Sequence, residues 1–218
     1  MINCIIFDMD GIIIDSQSAL DIYEFEFYRK ITNNAWTKKE QQNIHGMSIK
    51  GIYKLMKSKY KIKVSLNTFI NEYNKILVYI YKKKCKLVPG VKSLLKDCMK
   101  ENFKVGLASS TSHKYIKKVL NRFKLNKYFD TVVSGDDTPG KTKPQPDIFL
   151  LTATKLSFKP KNCLVFEDSS NGVTAAKRAG MYCIQFSIMK KIVPPFPNLH
   201  IKSFKTLTIN KLIKKLKN

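Results

Sequence analysis

The chain has 218 residues, of which 44% are hydrophobic and 11% aromatic, and it carries a net charge of +24. A chain of this length and apolar content can bury a sizeable core, which excludes an intrinsically disordered protein. No apolar run reaches the ~18–20 residues that a membrane span needs, so we expect no membrane partner.

The positive charge comes almost entirely from lysine. Only Arg29, Arg122 and Arg178 are arginine among the 40 basic residues, and the lysines are spread along the whole chain. Arginine is the side chain better suited to phosphates and base edges. We therefore expect no specific nucleic-acid partner, although weak, salt-sensitive adhesion to polyanions is compatible with this charge.

The cysteines favour a reducing compartment. The five cysteines contain no Cys-x-x-Cys pair and no regular spacing, and His45, His113 and His200 lie far apart. A disulfide framework and a zinc site are both disfavoured. Because the first apolar run begins at once, at Cys4, we expect no amino-terminal leader and a cytoplasmic protein.

The apolar pattern predicts one strand, then a helical stretch, then alternating helices and strands. Residues 3–8 form an apolar run typical of a buried strand, whereas residues 17–86 have helical periodicity and no convincing strand. After the Val88-Pro89-Gly90 break, short apolar strands alternate with helices of ~10 residues. The predicted strands are 104–109, 131–134, 162–167 and 182–186, and the predicted helices are 91–101, 113–123, 146–156 and 171–179.

This alternation is typical of βαβ units, so the sequence predicts an α/β fold with a Rossmann-like parallel sheet. We expect the sheet core to comprise residues 1–16 and 87–218, with residues 17–86 as a small all-helical insertion after the first strand. The last helix is predicted to dock on the core, with a membrane-surface helix as the alternative. Its apolar stripe consists of Ile209, Leu212, Ile213 and Leu216.

Polar side chains stand where the predicted strands end. Asp8 and Asp10 follow the first strand, Ser109 ends the next, Glu167-Asp168 closes the strand at 162–167, and Lys143 precedes a helix. Ligands of parallel sheets bind beyond the carboxyl ends of the strands, so these groups are expected to meet. Carboxylates suit Mg²⁺, and a hydroxyl with a lysine suits a phosphoryl group.

In this order, the residues resemble the four motifs of the haloacid dehalogenase-like (HAD) superfamily. The motifs are Asp8-x-Asp10-Gly11, Ser109 after its strand, Lys143-Pro144 and Glu167-Asp168. Residues 135–149 and 163–181 are similar to sugar- and nucleotide-phosphatases of the β-phosphoglucomutase/phosphatase branch. The helical insertion resembles the small cap of that branch.

The resemblance implies a Mg²⁺-dependent hydrolase of phosphomonoesters that works through an aspartyl-phosphate. Asp8 would be the nucleophile, and Asp10 would be the general acid and base. The residues implied to hold the phosphoryl group are Ser109, Ser110 and Lys143. Those implied for the metal are Asp8, the Asp10 backbone carbonyl, Asp168, and Glu167 either as a ligand or behind the ligands.

Within this branch, the residues favour a phosphatase over a phosphomutase. The mutases carry an arginine where Ile49 stands, Lys-Asn where Ser112-His113 stands, and a histidine where Leu20 stands, although Lys50 could partly replace the arginine. We expect a monomer whose partner is a small phosphate ester, such as a sugar, polyol or nucleoside phosphate. A β-phosphoglucomutase-type mutase is the alternative.

Several residues keep two interpretations. Gln17, His45 and Lys50 are candidate substrate contacts of the cap or ordinary cap residues, and Trp36 is expected to pack. Asp136 and Asp137 would either tune Lys143 or shape a loop. Ser110 to Ser112 could instead cap the helix that follows them. Asp15 is expected to have a structural role, in which it organises the hinge that leads into the cap.

Overall fold

The computed structural model describes residues 1–44, 47, 49–187 and 194–217. The chain divides into two compact units, one formed by Met1–Asp15 with Lys86–Asn218 and the other by Ser16–Cys85. The first contains the main sheet and the second is helical. His45, a candidate substrate contact, lies outside the described residues.

The larger unit is built on a six-stranded sheet in which all neighbouring strands are parallel. The strands are β1 (Cys4–Phe7), β2 (Ile14–Asp15), β3 (Lys86–Leu87), β4 (Lys104–Ser109), β5 (Thr131–Ser134), β6 (Cys163–Glu167), β7 (Tyr182–Phe186) and β8 (Leu199–Ile201). Their order in the main sheet is β5-β4-β1-β6-β7-β8, and β2 pairs antiparallel with β3 in a separate ribbon. The predicted α/β fold is confirmed.

Helices connect the strands of this sheet and also form the smaller unit. The helices are α1 (Gln17–Ile31), α2 (Lys38–Asn43), α3 (Ile49–Tyr60), α4 (Leu66–Tyr79), α5 (Val91–Lys100), α6 (His113–Phe123), α7 (Asp147–Lys155), α8 (Ser170–Arg178) and α9 (Ile209–Lys217). Short helical turns lie at Ile80–Lys84, Asn126–Tyr128, Gly135–Asp137 and Pro160–Asn162.

The central strands are apolar because the sheet is covered on both faces. Every residue of β1 is buried, as expected for a strand inside a parallel sheet. Phe7 stacks on Phe166 of the neighbouring strand with ring centroids 4.8 Å apart, and Phe204 packs edge-on against Phe166. This rigid centre fixes where β1 and β6 end, and therefore where the polar residues after them stand.

Three strands differ from the prediction. The sequence predicted neither the ribbon nor β8, and the predicted strand-free stretch 17–86 includes Lys86, the first residue of β3. The ribbon pairs only two residues of each strand, Ile14 with Leu87 and Asp15 with Lys86, which is too short for an alternating pattern. Strand β8 has three half-buried residues and gains its identity by pairing with β7.

The smaller unit has an aromatic core of its own. Tyr28, Trp36 and Phe69 are buried, and the ring of Tyr28 contacts the other two. The indole nitrogen of Trp36 donates a hydrogen bond to the side chain of Gln41 at 3.0 Å. Trp36 is therefore a packing residue, as expected.

The last helix docks on the sheet unit, as predicted. Ile209 and Leu212 are fully buried, whereas Lys211, Lys214 and Lys215 face solvent. Asp97 on α5 accepts a hydrogen bond from the backbone N–H of Ile209, with an oxygen-to-nitrogen distance of 2.6 Å. This carboxylate satisfies a donor that the first turn of a helix otherwise leaves without a partner.

None of the helices in the described residues is both long and apolar enough to cross a lipid bilayer. All five cysteines are buried free thiols.

The contact between Asp97 and α9 gives a prediction about stability. Asp97→Ala should lower the free energy of unfolding by about 1 kcal/mol, the usual cost of losing a helix cap. Urea denaturation of the two proteins measures this difference. Asp97→Asn retains an acceptor oxygen and should lose less, so equal losses in both variants would contradict the assigned contact.

Candidate active site

The predicted catalytic residues lie at the carboxyl ends of the three central strands. Strand β1 lies between β4 and β6, and its continuation is held in register because the Asp8 N–H donates to the carbonyl of Phe166 at 3.0 Å. Ser109 and Glu167 are the last residues of β4 and β6. The topology thus brings Asp8, Ser109 and Glu167 to one edge of the sheet, as the sequence predicted.

Lys143 joins two of these strands through its side chain. Its ammonium nitrogen lies 2.6 Å from Oδ1 of Asp8 and 2.6 Å from Oε1 of Glu167. The three side chains are at least nine-tenths buried, and the ammonium also stands 4.8 Å from the ring centroid of Phe149. A buried lysine held by two carboxylates is a fixed positive charge beside the candidate nucleophile.

The charges at this edge are not balanced. Burial raises the pKa of Asp8 well above its ordinary value; Lys143 acts in the opposite direction, and Glu167, Asp10 and Asp168 add to the rise. Burial alone would lower the pKa of Lys143, but Asp8 and Glu167 outweigh it and raise that pKa above its ordinary value. The lysine therefore stays protonated, and its charge acts on Asp8 against those of three neighbouring carboxylates.

Asp10 is oriented by a hydroxyl that the sequence did not single out as functional. The Thr111 hydroxyl donates to Oδ2 of Asp10 at 2.9 Å, while the Thr111 N–H donates to the buried hydroxyl of Ser109 at 3.1 Å. The sequence offers Thr111 only as one of the possible helix caps among residues 110–112, so the fold was needed to reveal that it reaches Asp10.

Gly11 makes room for the carboxylate of Asp168. Its φ of +88° lies in the left-handed region, and a Cβ there would stand 2.5 Å from Cγ of Asp168. The buried amide of Gln185 donates to the Asp168 backbone carbonyl at 3.2 Å. Asp168 is thus tied to Gln185 and lies next to the Asp8-x-Asp10 turn, in space that a side chain on Gly11 would occupy.

Glu167 is engaged at both of its oxygens. Oε1 contacts Lys143, and Oε2 accepts hydrogen bonds from the backbone N–H of Ser169 at 2.8 Å and from its hydroxyl at 3.0 Å. A Cβ on Gly172 would lie 1.8 Å from the Glu167 carboxyl carbon. These contacts favour the second of the predicted alternatives, in which Glu167 stands behind the metal ligands, and they add a contact with Lys143 that the sequence did not predict.

The remaining carboxylates fit a hydrated dication. Among the described residues, no three His, Cys, Asp or Glu side chains form a ready-made metal site. Mg²⁺ commonly keeps several waters and takes only one or two protein carboxylates. Asp8 and Asp168, with the backbone carbonyl of Asp10, supply the oxygen donors that it prefers, and a cation would relieve the excess negative charge around Asp8.

Three other predicted site residues have exposed side chains. The Ser110 side chain is exposed, and its carbonyl faces Gly135. Gln17 and Lys50 are exposed residues of the helical unit, and Gln17 donates to Asp21 one turn later at 2.7 Å. Their predicted roles toward substrate stay predictions.

Comparison with known proteins identifies the family. The family model described as haloacid dehalogenase-like hydrolase matches residues 5–186. The chain belongs to this family. It is 33% identical over 182 residues to the phosphorylated carbohydrates phosphatase of Thermotoga maritima, covering 82% of each protein. It is 30% identical over 180 residues to hexitol phosphatase B of Escherichia coli K12, covering 82% of this chain and 81% of the relative.

Solved structures of HAD proteins share the fold. The crystal structure of β-phosphoglucomutase from Clostridium difficile matches with a TM-score of 0.74 and 25% identity, covering 100% of this chain and 98% of that one. The family match and the phosphatase relatives make this chain a HAD-like phosphatase.

The contact between Gly172 and Glu167 predicts an unusual sign for a helix substitution. Alanine in place of a helical glycine ordinarily stabilises a protein by up to about 1 kcal/mol. Here Gly172→Ala should instead lower the free energy of unfolding, because the new Cβ would collide with the Glu167 carboxylate. Urea denaturation decides the sign, with Asn171→Ala as the control on the exposed side of the same turn. Stabilisation by Gly172→Ala would show that Glu167 does not occupy this space.

Proposed function

We propose that the protein is a Mg²⁺-dependent phosphomonoester hydrolase that acts on a small phosphorylated metabolite through an aspartyl-phosphate. The observation that carries the proposal is the arrangement of two neighbouring carboxylates. The buried ammonium of Lys143 lies 2.6 Å from Asp8, and the Thr111 hydroxyl donates a hydrogen bond to Asp10. Asp8 contacts an ammonium and Asp10 contacts a hydroxyl, so the two carboxylates have different surroundings. Different surroundings allow one carboxylate to act as the nucleophile and the other as the acid and base.

Asp8 is the proposed nucleophile. Lys143 binds Oδ1, and no hydrogen bond within the described part of the chain engages Oδ2, which is therefore the oxygen available for attack. In the first step this oxygen forms a bond to phosphorus as the bond to the ester oxygen breaks. Lys143 then offsets the negative charge that collects on the phosphoryl oxygens.

Asp10 is the proposed proton donor and acceptor. It gives its proton to the departing alcohol oxygen, and in the second step takes one from the water that attacks phosphorus and releases Asp8. The hydrogen bond from Thr111 fixes one oxygen of Asp10 and thereby orients its carboxyl group for this exchange. Ser109 supports Thr111 through its hydroxyl, which supplements its predicted contact with the phosphoryl group.

Asp8, Asp168 and the backbone carbonyl of Asp10 would hold Mg²⁺. The metal would supply positive charge that allows an anionic carboxylate to meet an anionic phosphate ester. Gly11 and Gln185 keep Asp168 in place for this role.

We infer that the substrate is a sugar or polyol phosphate. The support is the similarity to relatives named for phosphorylated carbohydrates and hexitol phosphates. A mutase is the second candidate, favoured by the similarity to a β-phosphoglucomutase structure. Conversion of β-glucose 1-phosphate to glucose 6-phosphate without net phosphate release would establish the mutase instead.

Substitution of the two aspartates tests the mechanism. With Mg²⁺ and a panel of phosphorylated sugars, polyols and nucleosides, Asp8→Asn should reduce phosphate release to background. Asp10→Asn should reduce kcat by on the order of 10²–10⁴, the usual range for a lost acid/base. Full activity of Asp8→Asn would refute the proposed nucleophile, and Asp130→Asn, far along the same sheet unit, controls for general damage.

Substitution of Thr111 tests the orientation of Asp10. Thr111→Val keeps the shape but loses the donor, and should lower kcat on the order of tenfold with little change in KM. Thr111→Ser keeps the hydroxyl and should recover most of the activity. If the valine and serine variants were equally active, Thr111 would have no role in orienting Asp10.

A further inference from the structure

The loop after β5 lies against the loop that follows Ser109. Strands β4 and β5 are in register up to Ser109 and Ser134, so their following loops leave the sheet side by side. We call residues 109–112 the hydroxyl loop. A Cβ on Gly135 would stand 2.4 Å from the carbonyl oxygen of Ser110, so the two backbones approach as closely as a glycine permits.

Asp136 binds the far end of the hydroxyl loop. Its Oδ2 accepts a hydrogen bond from the Ser112 hydroxyl at 2.7 Å and another from the backbone N–H of His113 at 2.9 Å. Ser112 stands at the N-cap of α6, yet its side chain makes no cap of its own. The carboxylate from the neighbouring loop takes over this capping role.

Asp137 holds the same two loops from a second position. Its Oδ2 accepts from the backbone N–H of Ser134 at 2.8 Å and lies 2.8 Å from Nε2 of His113. The hydrogen bond with Ser112 is the largest cause of the lowered pKa of Asp136, and the Ser134 N–H is the largest cause of the lowered pKa of Asp137. Both carboxylates are therefore bound in their charged form.

These contacts separate the two roles that the sequence left open. The hydrogen bonds of Asp136 and Asp137 go to residues 112, 113 and 134, whereas Lys143 is bound by Asp8 and Glu167 in the described part of the chain. Within the hydroxyl loop, Thr111 donates a hydrogen bond to Asp10. The next residue, Ser112, ends the loop and donates a hydrogen bond to Asp136.

We propose that Asp136 is a positioning residue that holds the hydroxyl loop in the conformation that receives the phosphoryl group, an inference that rests on the proposed function. Asp136 does not touch the reacting atoms. It fixes the loop that carries Ser109 and Thr111 by anchoring its end to the rigid edge of β5. Asp137 secures the β5 side of this anchor by binding its own strand end.

The sheet unit offers a matched control at its opposite edge. The carboxylate of Asp130 accepts a hydrogen bond from the backbone N–H of Val105 in β4 at 2.8 Å, and it pairs with the ammonium of Lys104 at 2.8 Å. Like Asp136, it is a carboxylate beside β5 that binds one backbone donor and one side-chain donor of the neighbouring chain segment. It lies at the amino end of the strands, away from Asp8 and Lys143.

The experiment compares Asp136→Ala, Asp136→Asn and Asp130→Ala in the full-length protein with Mg²⁺. We expect Asp136→Ala to speed amide hydrogen exchange in residues 109–113 and to weaken inorganic phosphate binding on the order of tenfold, as displaced groups commonly do. KM for a phosphate ester should rise more than kcat falls. Asp136→Asn keeps an acceptor oxygen and should recover most of the affinity, and Asp130→Ala should leave phosphate affinity unchanged.

Three outcomes would overturn this inference and leave the proposed function standing. The first is unchanged exchange in the hydroxyl loop of Asp136→Ala. The second is faster exchange with wild-type phosphate affinity, which would make Asp136 a helix cap only. The third is a loss of affinity in Asp130→Ala equal to that in Asp136→Ala, which would make the effect a general loss of stability. If the unsubstituted protein bound no phosphate and released none from any ester, the proposed function itself would fail, and the inference with it.

Discussion

The buried ammonium of Lys143 is the contact on which the rest of the site depends. It binds Asp8 after β1 and Glu167 at the end of β6, and so connects two central strands at their carboxyl ends. Removing a charge from water is expensive, and a buried ion survives only when partners replace the lost hydration. The two carboxylates replace the lost hydration of the lysine, whereas the single charge of the lysine compensates only part of theirs. The contacts with Lys143 thus hold the two strands together but leave part of the negative charge of the site uncompensated. This remaining charge would attract a metal cation, and the cation would in turn allow an anionic phosphoryl group to bind.

Space for these carboxylates comes from the backbone. Gly11 lies against the Asp168 carboxylate and Gly172 against the Glu167 carboxylate, and a methyl group at either position would overlap its neighbour. Gly11 has a left-handed φ, but Gly172 lies in an ordinary helical turn, so its identity follows from the neighbouring side chain alone. The close packing that positions the acids thus explains two glycines for different reasons, one conformational and one steric.

Most of the fold and the central site could be predicted from the sequence because both depend on local signals. The apolar runs at β1, β4 and β6 give strands, and the polar residues that end them must share an edge in a parallel sheet. The ribbon of β2 and β3 could not be predicted because its strands are two residues long and are joined across the whole helical stretch. Thr111, Gln185 and Asp136 were not assignable for a related reason. Each acts through hydrogen bonds to residues distant in sequence, and a threonine, glutamine or aspartate carries no pattern that indicates its partner.

The high net charge of the chain and the negative charge of the site act on different scales. The +24 comes from lysines that are spread along the chain, and such a field raises the local concentration of anionic molecules, although salt limits its reach to about 8–10 Å. Within the site, Asp8, Asp10, Glu167 and Asp168 are four carboxylates close to one another, and they repel an incoming phosphate at contact distance. The same field disfavours the approach of a dication, while the carboxylates attract it over short range. In the proposed reaction a phosphate ester and a metal would therefore need each other at this site, because each would supply the charge that the other lacks.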